Sequence, residues 1–311
     1  MNAENLFAMR AGGEKTTTLV AKNDSMLTSL SIVVPAYNEA ARLGKTVRAI
    51  LRYIDEHVRE GELIVVDDGS RDHTTQVAEE AFASSSRKVP ARVIRYAQNR
   101  GKGYAVRAGL LAARHPVALF SDADLSTPIT ETPKLVLPIE NGVCDVAFGS
   151  RALDRSLIGV HQPWQREQSG RVFNLAVKLA TGMPFWDTQC GFKAFRMTVC
   201  RPLVEASVID RFAFDVELLY AAHLTGLRLC EQAVRWDDNE GSTVSFLGGL
   251  HGFTELRMLR KQARRGVYND AIDAAHALAV ASTDTPRAMS AKSGDYATET
   301  ERALAGVAQD A

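Results

Sequence analysis

The sequence predicts an α/β fold: a mostly parallel sheet covered by helices. Three observations carry it. The 311 residues are 46% apolar and 24% charged, an ordinary globular composition that excludes collagen-like, disulfide-scaffold and wholly disordered chains. Between residues 30 and 268 short apolar runs alternate with amphipathic stretches, as strands alternate with crossover helices. Four successive apolar runs also end in polar or special residues, and in open α/β sheets ligands bind outside the carboxyl ends of the strands.

Taken in order, the predicted strands are Ser31–Pro35, Glu62–Asp67, Ala91–Tyr96, Val117–Ser121 and Asp145–Gly149. The clearest intervening helices are Ala40–Val58, Thr74–Ala83 and Gly103–Arg114. After Arg151 the alternation fails: Gln162–Thr181 reads as helix, Gly191–Arg196 as strand, Phe212–Leu224 as helix and Arg228–Trp236 as strand. The second half is therefore expected to cap the sheet of the first. Residues 1–29, polar and without a clear period, read as a disordered tail. Residues 269–311, with 13 alanines, read as a low-complexity, transiently helical one. The expected organisation is one domain over 30–268, with halves of about 30–150 and 151–268.

Thirty-seven basic residues balance thirty-seven acidic ones, so no basic excess points to nucleic acid. The four cysteines, Cys144, Cys190, Cys200 and Cys230, form no C-x-x-C, which argues against structural zinc and disulfides. No apolar stretch approaches a membrane span and no secretory h-region opens the chain. The expectation is a cytoplasmic protein, free or held peripherally on the cytoplasmic face of a membrane.

The strand ends carry the chemistry. They read Pro35-Ala36-Tyr37-Asn38-Glu39, Asp67-Asp68-Gly69-Ser70, Asn99-Arg100-Gly101-Lys102-Gly103 and Asp122-Ala123-Asp124-Leu125-Ser126. Asp122-x-Asp124 puts two carboxylates on a turning segment, where both can approach one divalent cation that also bridges a pyrophosphate. Alone it is a common turn; beside three other polar strand ends it becomes a site. Asp67 and Asp68 can accept from a base N–H or a ribose hydroxyl, in competition with a capping role beside Gly69. Gly101-Lys102-Gly103 precedes a helix, where backbone and Lys102 can meet a phosphate. It does not complete G-x-G-x-x-G, since the third position is Val106. Gly44-Lys45-Thr46 resembles the end of a P-loop but has Glu39 at the first glycine, so Lys45 reads as helix surface. In the second half Arg151 follows a strand end. Arg166 lies roughly 140° from Arg171 on a helix, so only one of the two is expected to face a cleft.

Together, SIVVPAYNE (31–39), DDGS (67–70), NRGKGYAVRAG (99–109), DADLS (122–126) and DTQCGFK (187–193) resemble the family 2 glycosyltransferases of GT-A fold. DTQCGFK followed by RFAFDVELLY (211–220) is similar to the dolichyl- and polyprenyl-phosphate branch, closer to its glucosyl than its mannosyl members. The resemblance spans about residues 30–266. It implies an inverting transfer of a hexose, glucose before mannose, from UDP-glucose or GDP-mannose to a polyprenyl phosphate. It implies that Pro35, Tyr37, Glu39 and Asp67 or Asp68 hold the nucleoside, that Lys102 approaches phosphate, that Asp122 contacts sugar or ribose, and that Asp124 ligates Mg²⁺ or Mn²⁺. Ser126 stands where related mannosyltransferases carry a Gln ligand. Arg151 with Arg166 or Arg171 would hold the acceptor phosphate, Asp187 and Gln189 would position the acceptor, and Gly241-Ser242 would belong to a loop covering the donor.

Transfer develops positive charge on the sugar and negative charge on the departing diphosphate. A lipid phosphate is already anionic near neutral pH and needs orienting arginines more than a general base. A hydroxyl acceptor would instead require Asp187 as base. A catalytically silent nucleotide-sugar binder would tolerate loss of Asp124. Gln232-Ala233-Val234-Arg235-Trp236 spells the Q-x-x-R-W of processive synthases but reads as a strand, and sugar nucleotidyltransferases would need a glycine-rich loop where Pro35–Glu39 stands. Residues 246–265 form an amphipathic helix: Phe246, Leu250 and Phe253 follow i, i+4, i+7, Leu247, Leu256 and Leu259 widen the face, and Arg257, Arg260, Lys261, Arg264 and Arg265 load the C-terminal end. It suits an anionic membrane surface and equally suits docking on the core.

Overall fold

The computed structural model describes residues 6–11, 14–19, 26–85, 88–160, 164–238 and 246–284. A seven-stranded sheet organises it, built from β3 (Leu27–Ala36), β4 (Val58–Asp67), β5 (Ala91–Arg95), β6 (Val117–Ser121), β7 (Val146–Ser150), β9 (Phe192–Arg196) and β10 (Leu229–Ala233). Its order is β10-β7-β9-β6-β3-β4-β5. Every pairing is parallel except those of β9, which runs antiparallel between β6 and β7.

The central strands are buried on both faces, which is why they read as unbroken apolar runs rather than alternating ones. Ile32, Val33, Val34, Leu63, Ile64, Val65 and Val66 are fully buried. Helix α1 (Ala40–His57) lays Leu43, Val47, Ile50 and Ile54 on this sheet at helical spacing. Its N-terminus is capped from a neighbouring loop, with Asp72 accepting from the Ala40 amide at 3.1 Å. Helices α2 (Thr74–Ala83) and α3 (Lys102–Ala112) follow the next two strands, as the sequence predicts.

The second half departs from expectation. β9 and β10 join the sheet instead of capping it, so the two halves share one core. Apolar periodicity marks a strand but does not say which edge it pairs with. Helices α4 (Thr132–Glu140) and α6 (Met197–Ala206) were not predicted, and each carries an internal proline. β8 (Ile158–Val160) pairs with β11 (Trp236–Asp237) in a small separate ribbon. α5 begins at Trp164 (Trp164–Thr181), and α7 spans Phe214–Leu224.

The tails also differ from the sequence reading where they are described. Leu6–Ala11 (β1) and Glu14–Leu19 (β2) pair antiparallel, helped by the β-branched run Thr16-Thr17-Thr18. α8 (Phe246–Arg264) is followed by α9 (Asn269–Asp284), where closely spaced alanines favour helix. Residues up to Leu278 form one compact unit; the other, Ala279–Ala311, contains the end of α9. Among the described residues no helix is long and apolar enough to cross a membrane.

Candidate active site

The four polar strand ends do gather at the carboxyl edge of β3, β4, β5 and β6. The first two loops interlock: Ser70 Oγ accepts from the Asn38 amide at 2.9 Å, Asn38 Oδ1 accepts from the Arg71 amide at 2.9 Å, and Thr74 Oγ1 accepts from the Glu39 amide at 2.8 Å. Asn38 adopts a left-handed backbone conformation, φ 56°, which asparagine tolerates better than most residues. Pro35 is buried, Tyr37 is exposed, and Glu39 is paired with Arg42.

Asp67 and Asp68, expected at the nucleoside, are buried and bonded to protein donors. Asp67 accepts from the Ser70 amide at 2.8 Å and from Thr75 Oγ1. Asp68 accepts from Asn99 Nδ2 at 2.9 Å and from the Arg100 and Gly101 amides at 2.8 Å each. Burial pushes the Asp68 carboxyl up, opposed by those amides and Arg100. Both aspartates build the rim of the site. The glycines flanking Lys102 have a packing role too: a side chain at Gly101 would collide with the Asp210 carbonyl, and a Cβ on Gly103 would come within 2.5 Å of Phe214 Cβ.

Asp122 and Asp124 sit on the turn after β6. Thr46 of α1 donates to the Ala123 carbonyl at 2.6 Å, the Ser126 amide donates to Asp124 Oδ1 at 2.9 Å, and the Ser126 carbonyl accepts from the Asp237 amide at 2.8 Å. Leu125 is left-handed, φ 50°, so the turn folds back on its own carboxylates. Lys102 Nζ lies 2.5 Å from Asp122 Oδ1. Burial would lower the Lys102 pKa, but Asp122, then Asp215 and Asp124, outweigh it and hold the ammonium above its ordinary range. A side chain at Gly191 would overlap the Asp122 carboxylate, so a glycine is required there.

Among the described residues Asp122 Oδ1 is buried and accepts no conventional hydrogen bond; the Lys102 ammonium faces it. Two carboxylates and a serine on one turn form a hard oxygen donor set that fits Mg²⁺ or Mn²⁺, which take one or two carboxylates and complete their shell with phosphate and water. Among the described residues no cluster of three acidic, His or Cys ligands forms an all-protein cage.

On the far side of β6, Arg151 and Asp187 form a bidentate pair. Asp187 Oδ2 accepts from Arg151 Nε at 2.6 Å and from its amide at 3.0 Å, and Oδ1 accepts from Nη2 at 2.9 Å. The guanidinium also stands 5.6 Å from the Trp236 ring centroid. Burial opposes ionisation of Asp187, yet Arg151 and the Gln189 amide push its carboxyl down to about 2. Glu231 anchors the turn by accepting from the Trp186 and Asp187 amides at 3.0 and 2.7 Å.

Of the two other predicted arginines, Arg171 is exposed on α5, and the Arg166 side chain lies outside the described residues, as do Gly241 and Ser242. Among the described residues of α5, Asn174 reaches the Asp187 turn, donating to the Trp186 carbonyl and accepting from Thr188 Oγ1 at 3.1 Å. Sequence reasoning also gave no role to a buried pair: Lys193 of β9 donates to Asp215 at 3.2 Å and to the Cys190 carbonyl at 2.6 Å. Burial raises the Asp215 pKa, opposed by Lys193 and Lys102. The available signal was two carboxylates, Asp215 and Glu217, inside an apolar helical run.

The family model for glycosyl transferase family 2 matches residues 31–203. The dolichyl-phosphate beta-glucosyltransferase of Drosophila melanogaster is 37% identical over 242 residues, 74% of each chain. The Homo sapiens protein of the same name is 34% identical over 281 residues, 85% of each, and that of Saccharomyces cerevisiae is 30% identical over 265 residues, 78% of this chain and 77% of that one. Among solved structures, glucosyl-3-phosphoglycerate synthase from Mycobacterium tuberculosis in complex with UDP superposes with a TM-score of 0.55 at 22% identity, covering 75% of this chain and 80% of that one. The same enzyme with Mn²⁺, UDP and glucosyl-3-phosphoglycerate gives 0.50 at 21% identity, with 78% and 79% covered. These likenesses support the GT-A fold, and with the family match and the identities above, the chain belongs to glycosyl transferase family 2.

Proposed function

We propose that this protein is an inverting glucosyltransferase that moves glucose from UDP-glucose to a polyprenyl phosphate of the dolichyl type. The observation that carries the choice of acceptor is the Arg151–Asp187 pair. A hydroxyl acceptor would need a base, and Asp187 is already the counter-ion of Arg151, with a carboxyl held near 2, a poor proton acceptor at neutral pH. A phosphate monoester arrives with its nucleophilic oxygen deprotonated and needs only orientation. The names of the relatives, dolichyl-phosphate beta-glucosyltransferases, agree with that acceptor and with glucose over mannose.

In the reaction an acceptor phosphate oxygen bonds to the anomeric carbon while the bond from that carbon to the diphosphate breaks on the opposite face, and UDP leaves. Arg151 pairs with Asp187 through Nε and Nη2 and would offer Nη1 to the acceptor phosphate. Lys102, held cationic, offsets the charge that grows on the diphosphate. Asp124, with Asp122 and Ser126, would hold Mg²⁺ or Mn²⁺, which when bound supplies Lewis-acid stabilisation to the leaving group. Asp122, paired with Lys102, would also contact the sugar, and the exposed Tyr37 would hold the nucleoside.

The test is incubation with labelled UDP-glucose and GDP-mannose, each with a short polyprenyl phosphate, following label into the organic phase. Organic-phase counts from UDP-glucose are expected. Transfer to a glycan or soluble hydroxyl acceptor, with none to the lipid phosphate, would overturn the reading.

A further inference from the structure

Lys193 is fully buried, and stability alone does not explain it. It stands in β9 opposite Phe120 of β6. Its ammonium lies 5.5 Å from the Phe120 ring centroid, and Phe195 and Phe214 pack on the same ring. Lysine is almost never fully buried unless paired, and apolar residues of similar volume in place of a buried ion pair are often neutral or stabilising. A methionine would suit these aromatic neighbours without desolvating a charge. The proposed reaction makes no direct use of Lys193 or of its partner Asp215.

Lys193 Nζ donates in two directions, to Asp215 at 3.2 Å and to the Cys190 carbonyl at 2.6 Å. Asp215 lies in the first turn of α7, the helix end that favours a carboxylate. That end is fixed from α8, which buries Leu256 and Leu259 and whose Glu255 accepts from the Phe212 and Ala213 amides at 3.0 and 2.8 Å. Lys102 opens α3, the wrong helix end for a cation, so it needs carboxylates nearby. The two helix starts meet closely: a Cβ on Gly103 would come within 2.5 Å of Phe214 Cβ, and the Tyr104 amide donates to the Asp210 carbonyl at 3.1 Å. Burial works against the Lys102 charge, and Asp122, then Asp215, outweigh it. The second bond of Lys193 leads to the same place. Cys190 precedes Gly191, whose carbonyl accepts from the Asp122 amide at 3.1 Å and which lies so close to the Asp122 carboxylate that a Cβ would overlap it.

We propose that Lys193 is a positioning residue for glucose transfer, closing an alternating row of charges, Lys193–Asp215–Lys102–Asp122, that holds the Lys102 ammonium where the diphosphate departs. The proposal rests on the reading of Lys102 as the cation facing the leaving group. The ends of the row are anchored in the neighbouring strands β9 and β6, and its middle members are carried by the starts of α7 and α3. Lys193 fixes both carboxylates around Lys102: Asp215 directly, and Asp122 through the backbone of Cys190 and Gly191. Without it both loosen around the ammonium.

Two variants test the row, each assayed for transfer from UDP-glucose, for UDP affinity by calorimetry and for urea unfolding. Lys193→Met strands the Asp215 carboxylate, so its unfolding midpoint should fall. Its kcat per folded molecule should fall by up to about 100-fold, the cost of a misplacement of about 1 Å. UDP should bind about tenfold more weakly, the scale of one weakened charge-assisted contact, while the acceptor KM stays at the wild-type value. The double change Lys193→Met, Asp215→Asn leaves no buried charge at either position, so the midpoint should return toward wild type. Turnover and UDP affinity should not return, because Lys102 still lacks its second carboxylate and the Cys190 carbonyl its donor. A double variant with wild-type kcat and UDP affinity, a single variant with unchanged kcat, or an effect confined to the acceptor KM would overturn the proposal and make the pair a packing feature. A wild-type protein that binds UDP yet moves glucose only to a hydroxyl acceptor would overturn the acceptor reading instead, with the UDP affinities of the variants still deciding the row.

Discussion

Two pairs of carboxylates, Asp67 with Asp68 and Asp187 with Asp215, flank β6 and are held in different ways. On the proposed nucleotide side Asp67 and Asp68 accept from amides, a hydroxyl and the Asn99 carboxamide, with Arg95 Nε more distant, 3.6 Å from Asp67. Beyond β6, Asp187 faces Arg151 and Asp215 faces Lys193. A carboxylate bonded to amides fixes the shape of a loop. One bonded to a guanidinium or ammonium fixes a cation and keeps it charged. In the proposed function Asp67 and Asp68 shape the donor loops, while Asp187 and Asp215 hold cations on the acceptor side, with the Lys102–Asp122 pair at the boundary.

The sharpest test of that boundary is Asp124→Ala. If the turn after β6 serves a divalent cation, the loss should be several kcal/mol of transition-state stabilisation, about 10³-fold in kcat or more, and chelator treatment of the wild type should reproduce it. Full activity in chelator-treated protein would remove the cation from the site and leave Lys102 as the principal positive charge there.

Next come substitutions that separate the two designs. Asp187→Ala strands the Arg151 guanidinium, and breaking a buried pair costs about 3–5 kcal/mol. Because Arg151 keeps partial exposure, the lower end is expected in urea unfolding. Asp68→Asn keeps the shape but trades one acceptor for a donor facing either the Arg100 or the Gly101 amide, for about 1–3 kcal/mol. In kinetics, Asp187→Ala should raise the acceptor KM and Asp68→Asn the donor KM. A common effect on both substrates from either variant would erase the distinction.

The same division governs how much the sequence disclosed. The donor-side loops follow parallel strands in chain order, so the rule that sites open at strand carboxyl ends places Tyr37, Asp68, Lys102 and Asp122 along one edge before any coordinates exist. Their partners stay hidden: nothing local says that Asp68 would spend its oxygens on Arg100 and Gly101. Beyond Arg151 the rule fails, because β9 enters antiparallel and brings Lys193 beside Phe120. Arg151 was legible from its place after a strand. Its clamp was not, since Asp187 reaches it from 36 residues away and Glu231, which holds the Asp187 amide, stands 80 residues away, and no periodicity spans such gaps. Asn174 was not singled out for a related reason: the helical period groups it with Arg171 without saying which of them reaches the Asp187 turn.

Acid should distinguish the charged pair from the amide-bound loops by a smaller margin. The folded-state pKa of Asp187 is depressed to about 2, below the unfolded value of about 3.9. Its contribution is therefore present above about pH 4 and is lost as pH falls through about 2, amounting to about 2–3 kcal/mol. Subtracting the unfolding curve of Asp187→Asn should isolate that window. Asp68, whose carboxyl is raised by burial, has the opposite sign: its shift favours the protonated folded state, so it takes no part in the acid loss.

The smallest effect concerns the boundary itself. Gly44-Lys45-Thr46 imitates the end of a P-loop, yet Lys45 is exposed on α1, and Thr46 is the member that matters. Its buried hydroxyl donates to the Ala123 carbonyl at 2.6 Å, tying the turn between Asp122 and Asp124 to a helix on the donor side. Thr46→Val keeps the shape, removes the donor and leaves that carbonyl unsatisfied, at about 0.5–1.5 kcal/mol. If the bond positions the two carboxylates, part of this cost appears in the transition state as a fall in kcat of up to about tenfold. More cation should then be needed for half-maximal rate, and Thr46→Ser should restore both. If Thr46→Val lowers the unfolding midpoint while kcat and the cation requirement stay at wild-type values, Thr46 is only a core hydroxyl and the turn holds its own geometry through Leu125 and the Ser126 amide.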